Sequence, residues 1–434
     1  MTAREVALKA LIACRRQGAW SDGALKEGIA KAGLSDRDAA LASRLCYGVL
    51  QNRMLLDFYV DAFLTTPRSR LQPVTTDILR LGAYQLTMMD RIPASAAVNE
   101  SVELAKKQVN PGAGKLVNGV LRAMTRAEAL PEPDTLAVRY SHPQALVDLL
   151  AAELPPVELP ALLAADNEPL PTSIQINPLK TTQEAAQAAL EALGAKVEPH
   201  PWLPGCFALS GVGSLEKLEL FRDGAIFVQD AAAHLAALAA ELEPGERVLD
   251  CCAAPGGKSF AAAMQMEDRG SVISCDLHPH KIRIIEAGAA RLGLTCVQAQ
   301  VQDGTKHRPD WRDAFDCVIA DVPCSGLGVI RKKPDIRYKE LSALERLPEV
   351  QGNILRTQAD YVRPGGRLIY STCTVLRREN KDVVRAFLAE RPDFRLELVP
   401  APAGLDAPNT GMLTLWPHRH GTDGFFICRL RREP

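Results

Sequence analysis

Two cysteines stand where strand-like runs give way to loops: Cys324 in Asp321-Val-Pro-Cys-Ser-Gly-Leu-Gly328 and Cys373 in Tyr370-Ser-Thr-Cys-Thr374. Thiolates are strong nucleophiles whose pKa falls beside cations or helix N-termini, and Lys258, Arg331 and Lys332 are the cations on offer. One cysteine at a strand end is usually a small buried hydrophobe. Two in one crevice, one of them beside Asp321, point instead to covalent chemistry. The third loop, Cys252-Ala-Ala-Pro-Gly-Gly-Lys258, leads from a buried strand into a helix through residues small enough to let a ligand approach the backbone. A P-loop would need glycine where Cys252 stands, and the G-x-G-x-x-G pattern of dinucleotide sites is absent, so the loop fits a nucleotide-like cofactor without either phosphate cradle. Asp276 and Asp303 follow the next two strand-like runs, where carboxylates accept hydrogen bonds from ribose hydroxyls or cap helices.

The elements that must position these residues alternate. Strand-like runs occur at 247–252, 271–275, 295–299, 315–320, 367–371 and 425–430 with helix-length stretches between most of them, which predicts a doubly wound α/β sheet with ligands at the strands' carboxyl ends. Residues 1–128 show helical spacing only, with breaks at Gly33-Leu34-Ser35-Asp36, where Ser35 can cap, at Thr66-Pro67, Ile92-Pro93 and Asn110-Pro111; five or six helices are expected. The reading is an α plus α/β multidomain chain: a helical domain over 1–130, a helical linker over 131–170, a small α+β lead-in over 171–230, and the doubly wound domain over 231–434.

Composition agrees. The 434 residues, at 47% hydrophobic and 24% charged, exclude disorder and collagen. No apolar run reaches the roughly 18 residues of a membrane helix, and Met1-Thr-Ala-Arg-Glu5 does not build a signal sequence, so a cytoplasmic protein without membrane attachment is expected. Eleven cysteines, with no C-x-x-C pair and Cys251 beside Cys252, suit neither a disulfide framework nor a zinc ribbon. No metal is expected, since His278/His280 and His418/His420 lack further ligands. The net charge of −1 conceals an excess of six positive charges in residues 1–130, which favours a polyanionic partner there.

Read together, the strings resemble the RNA cytosine-5 methyltransferases that use S-adenosylmethionine (SAM), and within them the branch acting on small-subunit (16S) ribosomal RNA with a fused NusB-like RNA-binding domain. CAAPGGK at 252–258 is similar to the family's cofactor loop, DVPCSGLGVIRKKPDI at 321–336 to its motif IV, YSTCT at 370–374 to its motif VI, and HGTDGFF at 420–426 to its closing segment. ILRLGAYQL at 78–86, IPASAAVNESVELAKK at 92–107 and KLVNGVLRAM at 115–124 resemble the NusB fold, and SIQINPLKT at 173–181 the lead-in. Lys332-Lys333 stand where many relatives have Arg-His, and Cys251 where leucine is common.

The resemblance implies a Rossmann-like catalytic domain. Cys373 is then the nucleophile that adds to C6 of cytosine, Cys324 assists proton elimination and product release, and Asp321 recognises the flipped base. It places Cys252, Ala253, Ala254, Pro255, Gly256, Gly257 and Lys258 around the methionine part of SAM, Asp276 on the ribose, and Asp303 near the adenine, with Asp321 closing the site; S-adenosylhomocysteine is the product. Arg331, Lys332, Lys333 and Arg337 beside the cleft, with Asn177 and Lys180 in the lead-in, are the expected RNA contacts. The expected partner is small-subunit ribosomal RNA, free or within a pre-ribosomal particle, bound by a monomer. Three other readings stand beside this one: a transfer RNA cytosine-5 methyltransferase, a non-catalytic RNA-binding factor on a methyltransferase platform, and a nicotinamide dehydrogenase. The last leaves both cysteines unexplained and lacks the glycine fingerprint.

Overall fold

The computed structural model describes residues 1–17, 20–168 and 171–434. The chain forms two compact units, the first made of Met1–Glu168 with Ile330–Lys339 and the second of the remainder. Among the described residues no helix is long and apolar enough to cross a membrane.

The first unit is helical: α1 Ala3–Gln17, α2 Ser21–Ala32, α3 Asp36–Gln51, α4 Arg53–Phe63, α5 Pro73–Met88, α6 Ala94–Gln108, α7 Pro111–Arg126, then the shorter α8 Leu136–Arg139, α9 Gln144–Ala151 and α10 Leu159–Ala165. Local chemistry sets several ends. Ser35 accepts a hydrogen bond from the Asp38 amide, Asn110 caps α7 ahead of Pro111, and Gly33 ends α2 in the left-handed conformation. Leu8, Leu45, Val49, Leu56, Ile78, Leu79, Val117 and Leu121 form the core. Among the described residues seven α-helices precede residue 128 where five or six were expected. The break between α3 and α4 carries neither proline nor glycine; the Asn52 side chain turns back onto the Gly48 carbonyl (3.0 Å) as the chain bends.

The stretch read as a linker, 131–170, packs with the first unit over its described part: Leu146, Leu150, Leu162 and Leu163 are buried, and buried His142 bonds buried Asp166 (3.2 Å). Its prolines resemble linker composition, but they begin short helices.

The second unit holds two sheets. The smaller has β1 Thr172–Ile176, β2 Lys196–Pro199, β3 Cys206–Ser210 and β4 Ile226–Val228 in the antiparallel order β2-β3-β1-β4, with helix Gln183–Ala192. The larger contains β5 Arg247–Asp250, β6 Ser271–Asp276, β7 Val297–Val301, β8 Phe315–Asp321, β9 Val362–Thr372, β10 Phe394–Leu396, β11 Met412–Leu415 and β12 Phe425–Arg432. Its order is β10-β12-β9-β8-β5-β6-β7, with β11 also on β12; strands β5 to β9 are parallel and β12 runs antiparallel to β9. Alternate residues serve opposite faces, as a sheet covered on both sides requires: Val248, Ile319, Ile369 and Ile427 join one core, Leu249, Val318, Leu368 and Phe426 the other. All six strand-like runs of the large sheet are present. The expectation omits β10 and β11, which at three and four residues are too short to show a period.

Candidate active site

Strands β5, β8 and β9 are neighbours, and the winding reverses between β5 and β8, so the loops leaving their carboxyl ends part into a crevice. Under the first loop lies a buried polar chain. Asp250 Oδ2 accepts from Ser259 Oγ (2.7 Å), and Ser274 Oγ donates to Ser259 Oγ (2.7 Å). Asp250 Oδ1 is buried with no hydrogen-bond partner. Burial pushes the Asp250 carboxyl up to about 7, against the opposing pull of Ser259 and Lys258. The loop turns at Gly256, whose φ of +112° and whose contact with the Phe260 ring exclude any side chain.

Lys258 leaves this loop to bond Asp321 Oδ2 (2.7 Å), while Ser371 Oγ donates to Asp321 Oδ1 (2.7 Å). Burial alone would lower the Lys258 pKa, but its attraction to Asp321 and the hydrogen bond outweigh that and raise it. The carboxylate is thereby fixed beside a charged ammonium at the mouth of the crevice.

The two cysteines meet. Cys324 Sγ and Cys373 Sγ are 3.2 Å apart, beyond the roughly 2.05 Å of a disulfide and within reach of an S–H···S hydrogen bond. That bond and burial hold the Cys324 thiol well above its ordinary pKa. The loops are tied by backbone: the Gly328 amide donates to the Cys373 carbonyl (3.0 Å) and the Gly424 amide to the Gly328 carbonyl (2.8 Å). A Cβ at Gly328 would overlap the Gly424 backbone, which explains the glycine in each of two distant motifs.

Beneath the sulfurs lie residues that the sequence reading missed. Buried Glu379 Oε2 accepts from the Ser325 amide (2.8 Å) and from Gln351 Nε2 (2.9 Å), which also donates to the Pro323 carbonyl (3.0 Å). Asn380 accepts from Thr372 Oγ1 (2.6 Å) and donates to the Thr374 carbonyl (2.9 Å); Ser325 Oγ donates to Thr374 Oγ1 (2.8 Å). The signal was a polar Arg-Arg-Glu-Asn run, 377–380, directly after the Cys373 loop, which reads as a helix start and nothing more.

The remaining expected site residues divide. Cys252, Ala253, Ala254, Pro255 and Gly257 lie on the first loop, the Ala253 amide donating to the Cys275 carbonyl (2.7 Å). Asp276 ends β6, accepts from the His278 amide (3.1 Å) and faces Lys281 (3.3 Å). Asp303, just past β7, holds the Thr305 amide and hydroxyl, bonds that lower its pKa. Lys332 and Lys333 are exposed and Arg331 is half-buried.

Burial overturns two expected RNA contacts, Arg337 and Asn177, while the third, Lys180, is exposed. Arg337 is buried in the first unit, bonding the carbonyls of Gln51 and Asp166 (2.8 Å each) and Tyr140 (3.2 Å), at the ends of helices where partial negative charge collects. Asn177 is buried and bonds the carbonyls of Gly224 (2.9 Å) and Leu292 (3.1 Å). Lys180 Nζ is spent on the carbonyls of Asp223 (2.5 Å) and Arg291 (3.2 Å). All three hold backbone in place.

Comparison with known proteins gives three family matches: residues 237–431 match the model for 16S rRNA methyltransferase RsmB/F, residues 1–126 the NusB family, and residues 142–216 the ferredoxin-like domain of RsmF/B-like methyltransferases. The chain is 37% identical to a probable ribosomal RNA small subunit methyltransferase B of Bacillus subtilis over 99% of its own length and 98% of the relative's. It is 34% identical to the protein of the same name from Synechocystis, over the full length of both. Among solved structures, that of PH0851 covers 98% of both chains with a TM-score of 0.82 at 26% identity; a methyltransferase homolog from Pyrococcus horikoshii covers 68% of this chain and 97% of its own, with a TM-score of 0.60 at 25% identity.

Proposed function

We propose that this chain, which belongs to the RsmB/F family of 16S rRNA methyltransferases, methylates C5 of a cytosine in small-subunit ribosomal RNA through a covalent adduct on Cys373. The observation that carries this reading is the pair of sulfurs 3.2 Å apart at the ends of β8 and β9, beside the Lys258–Asp321 pair. A structural cysteine pair has no use for a buried ammonium paired with a half-exposed carboxylate at its side.

The crevice suits SAM on its own terms. The β5 loop bears no side chain at Gly256, and Asp250 Oδ1 is a buried acceptor without a partner. Residues 252–258 would hold the methionine part, Asp276 the ribose and Asp303 the adenine edge. SAM, when bound, supplies a methyl group on a sulfonium centre.

The chain's own residues must make the cytosine reactive. C5 is a poor nucleophile until a thiolate adds at C6 and pushes electron density onto C5; that thiolate is Cys373, toward which Cys324 directs its proton. Asp321, fixed by Lys258 and Ser371, faces the N3 and N4 edge of the base, stabilises the adduct and selects cytosine. After methylation the C5 proton passes to a base and the electrons of its bond re-form the C5–C6 double bond, expelling the Cys373 sulfur. Cys324 stands at the bond that breaks and hydrogen-bonds the departing thiolate. The substrate is small-subunit ribosomal RNA, free or in a pre-ribosomal particle, and the enzyme acts as a monomer.

The test uses unmethylated small-subunit ribosomal RNA, both free and in partly assembled small-subunit particles, and SAM with wild type, Cys324→Ala and Cys373→Ala on a denaturing protein gel. The expected result is an RNA adduct that persists only in Cys324→Ala. An adduct in Cys373→Ala would reverse the two roles, and neither adduct nor methyl transfer in wild type would overturn the reading.

A further inference from the structure

The first unit contains a cavity of about 270 Å³ that plays no part in the chemistry above. It is smaller than the roughly 300 Å³ at which small-molecule sites usually begin, and so is sized for a single base or nucleoside. Two aromatic rings line it. The Trp20 indole is 48% exposed with the Lys339 ammonium 4.1 Å from its centre, and the Tyr338 ring carries the Arg53 guanidinium at 3.6 Å. Four cationic residues, Arg15, Arg53, Arg80 and Lys339, line the wall against two carboxylates, Asp77 and Asp335. Both carboxylates are engaged: Asp77 by Arg15 (2.9 Å) and Arg80 (3.0 Å), Asp335 by the Ser21 hydroxyl (2.7 Å). Burial also keeps the Cys14 thiol neutral, its pKa raised to about 11.

We infer that this cavity takes one unpaired nucleotide of the RNA substrate, its base stacked on Trp20 and its phosphate met by Lys339. Arg80 is held by Asp57 (2.7 Å) as well as Asp77, so the exposed cations are Lys339 and Arg15; flat aromatic surface beside exposed cations is the chemistry that binds single-stranded RNA, the ring taking any base and the cations the backbone. Free mononucleotides share that chemistry but lack the neighbouring phosphate that Arg15 would meet. Tyr338 and Lys339 come from the segment that follows the Cys324 loop in sequence, so the site unites both parts of the first unit. The inference rests on the reading of RNA as substrate.

The experiment follows tryptophan fluorescence and affinity as full-length wild type, Trp20→Leu and Lys339→Met are titrated with a single-stranded oligoribonucleotide, the matching duplex, and AMP. Trp202 and Trp311 are buried and Trp416 is half-buried in the second unit, so the quenching that belongs to Trp20 is the part that Trp20→Leu removes. The single strand should quench wild type more than the duplex or AMP does, and Trp20→Leu should lose the quenching and bind roughly 5- to 150-fold more weakly, the worth of one stacked base. Lys339→Met should lower the slope of log K against log salt by about 0.7, as loss of one phosphate contact requires. Unchanged RNA affinity in Trp20→Leu, in protein that still melts as wild type does, would overturn the pocket while leaving the methyltransferase reading intact. Equal quenching by AMP would overturn RNA as its occupant. Failure of wild type to bind any RNA would sink both.

Discussion

Replacing Glu379 by alanine tests whether a carboxylate that touches no substrate holds the Cys324 loop. The side chain is buried, and its Oε2 serves two donors, the Ser325 amide at 2.8 Å and Gln351 Nε2 at 2.9 Å, whose residues are 2% and 0% exposed. Water cannot replace the lost acceptor without opening the loop. A hydrogen bond to a charged group contributes about 1.5–3 kcal/mol, and since both donors share one oxygen their losses overlap, leaving a cost of about 3–4 kcal/mol. For a unit of this size that is a fall of roughly 6–15 °C in Tm. Loosening the loop should also displace Cys324 from Cys373, and misplacement by about 1 Å costs on the order of 10²-fold in rate. Calorimetry and single-turnover methyl transfer measure the two effects, with SAM affinity, set by the β5 loop, as the control. Glu379→Gln keeps one neutral acceptor and should lose about half as much stability. A Tm within 2 °C of wild type together with unchanged turnover would refute the argument.

Arg337→Met should destabilise the first unit by about 3–5 kcal/mol, because it strips a buried guanidinium from the carbonyls of Gln51, Tyr140 and Asp166. Arg337→Lys should restore little, since an ammonium lacks the planar fork that reaches several carbonyls at once; a lysine variant melting with wild type would contradict this. Asp250 carries the pH prediction: its folded pKa of about 7 lies above the ordinary 3.8, so the native state holds a proton that the unfolded chain releases. Its contribution is therefore full below about pH 4 and is lost as pH rises toward 7, a swing on the order of 4 kcal/mol. Asp250→Asn, neutral throughout, should gain on wild type between pH 5 and pH 8 in urea melts; a constant difference between the two proteins would exclude it.

What the sequence discloses and what it withholds divide along physical lines. Strands β5, β6, β8, β9 and β12 are apolar runs bounded by loops, and a doubly wound sheet places its ligands beyond their carboxyl ends; hence Cys324, Cys373, Asp321 and Lys258 were expected at one crevice, and the structure brings them together there. A basic run after the cysteine loop reads naturally as a nucleic-acid contact, yet Arg337 of that run is buried among helix ends contributed by residues near 51, 140 and 166. Local pattern carries no trace of partners so far away in sequence. Asn177 fails for the same reason, because the carbonyls it holds lie on distant segments. Glu379 and Gln351 stayed hidden because a polar residue on a short helix looks solvated until the tertiary fold removes its water.

Position at a strand end picks out Cys324 and Cys373 from most of the eleven cysteines but does not separate them from Cys252, which also follows a strand. Cys275, Cys296 and Cys317 are buried and their thiols are pushed up to about 12, mainly by desolvation, so none of them offers a thiolate. Cys252 is half-buried, as Cys324 and Cys373 are, and it too lies in the crevice, so exposure does not separate the three. The difference lies in what each sulfur faces. Cys252 has its chain neighbour, buried Cys251, at 3.9 Å, a contact that adjacent small apolar side chains make without purpose. Cys324 and Cys373 are brought to 3.2 Å from opposite loops by the Gly328–Gly424 crossing, the Gly328–Cys373 hydrogen bond and the Glu379–Asn380 floor. Fixing two weakly bonding sulfurs in this way spends two glycines and two buried polar side chains that packing alone would not require. On the proposed mechanism, that arrangement lets one sulfur hold a proton where the other attacks and leaves.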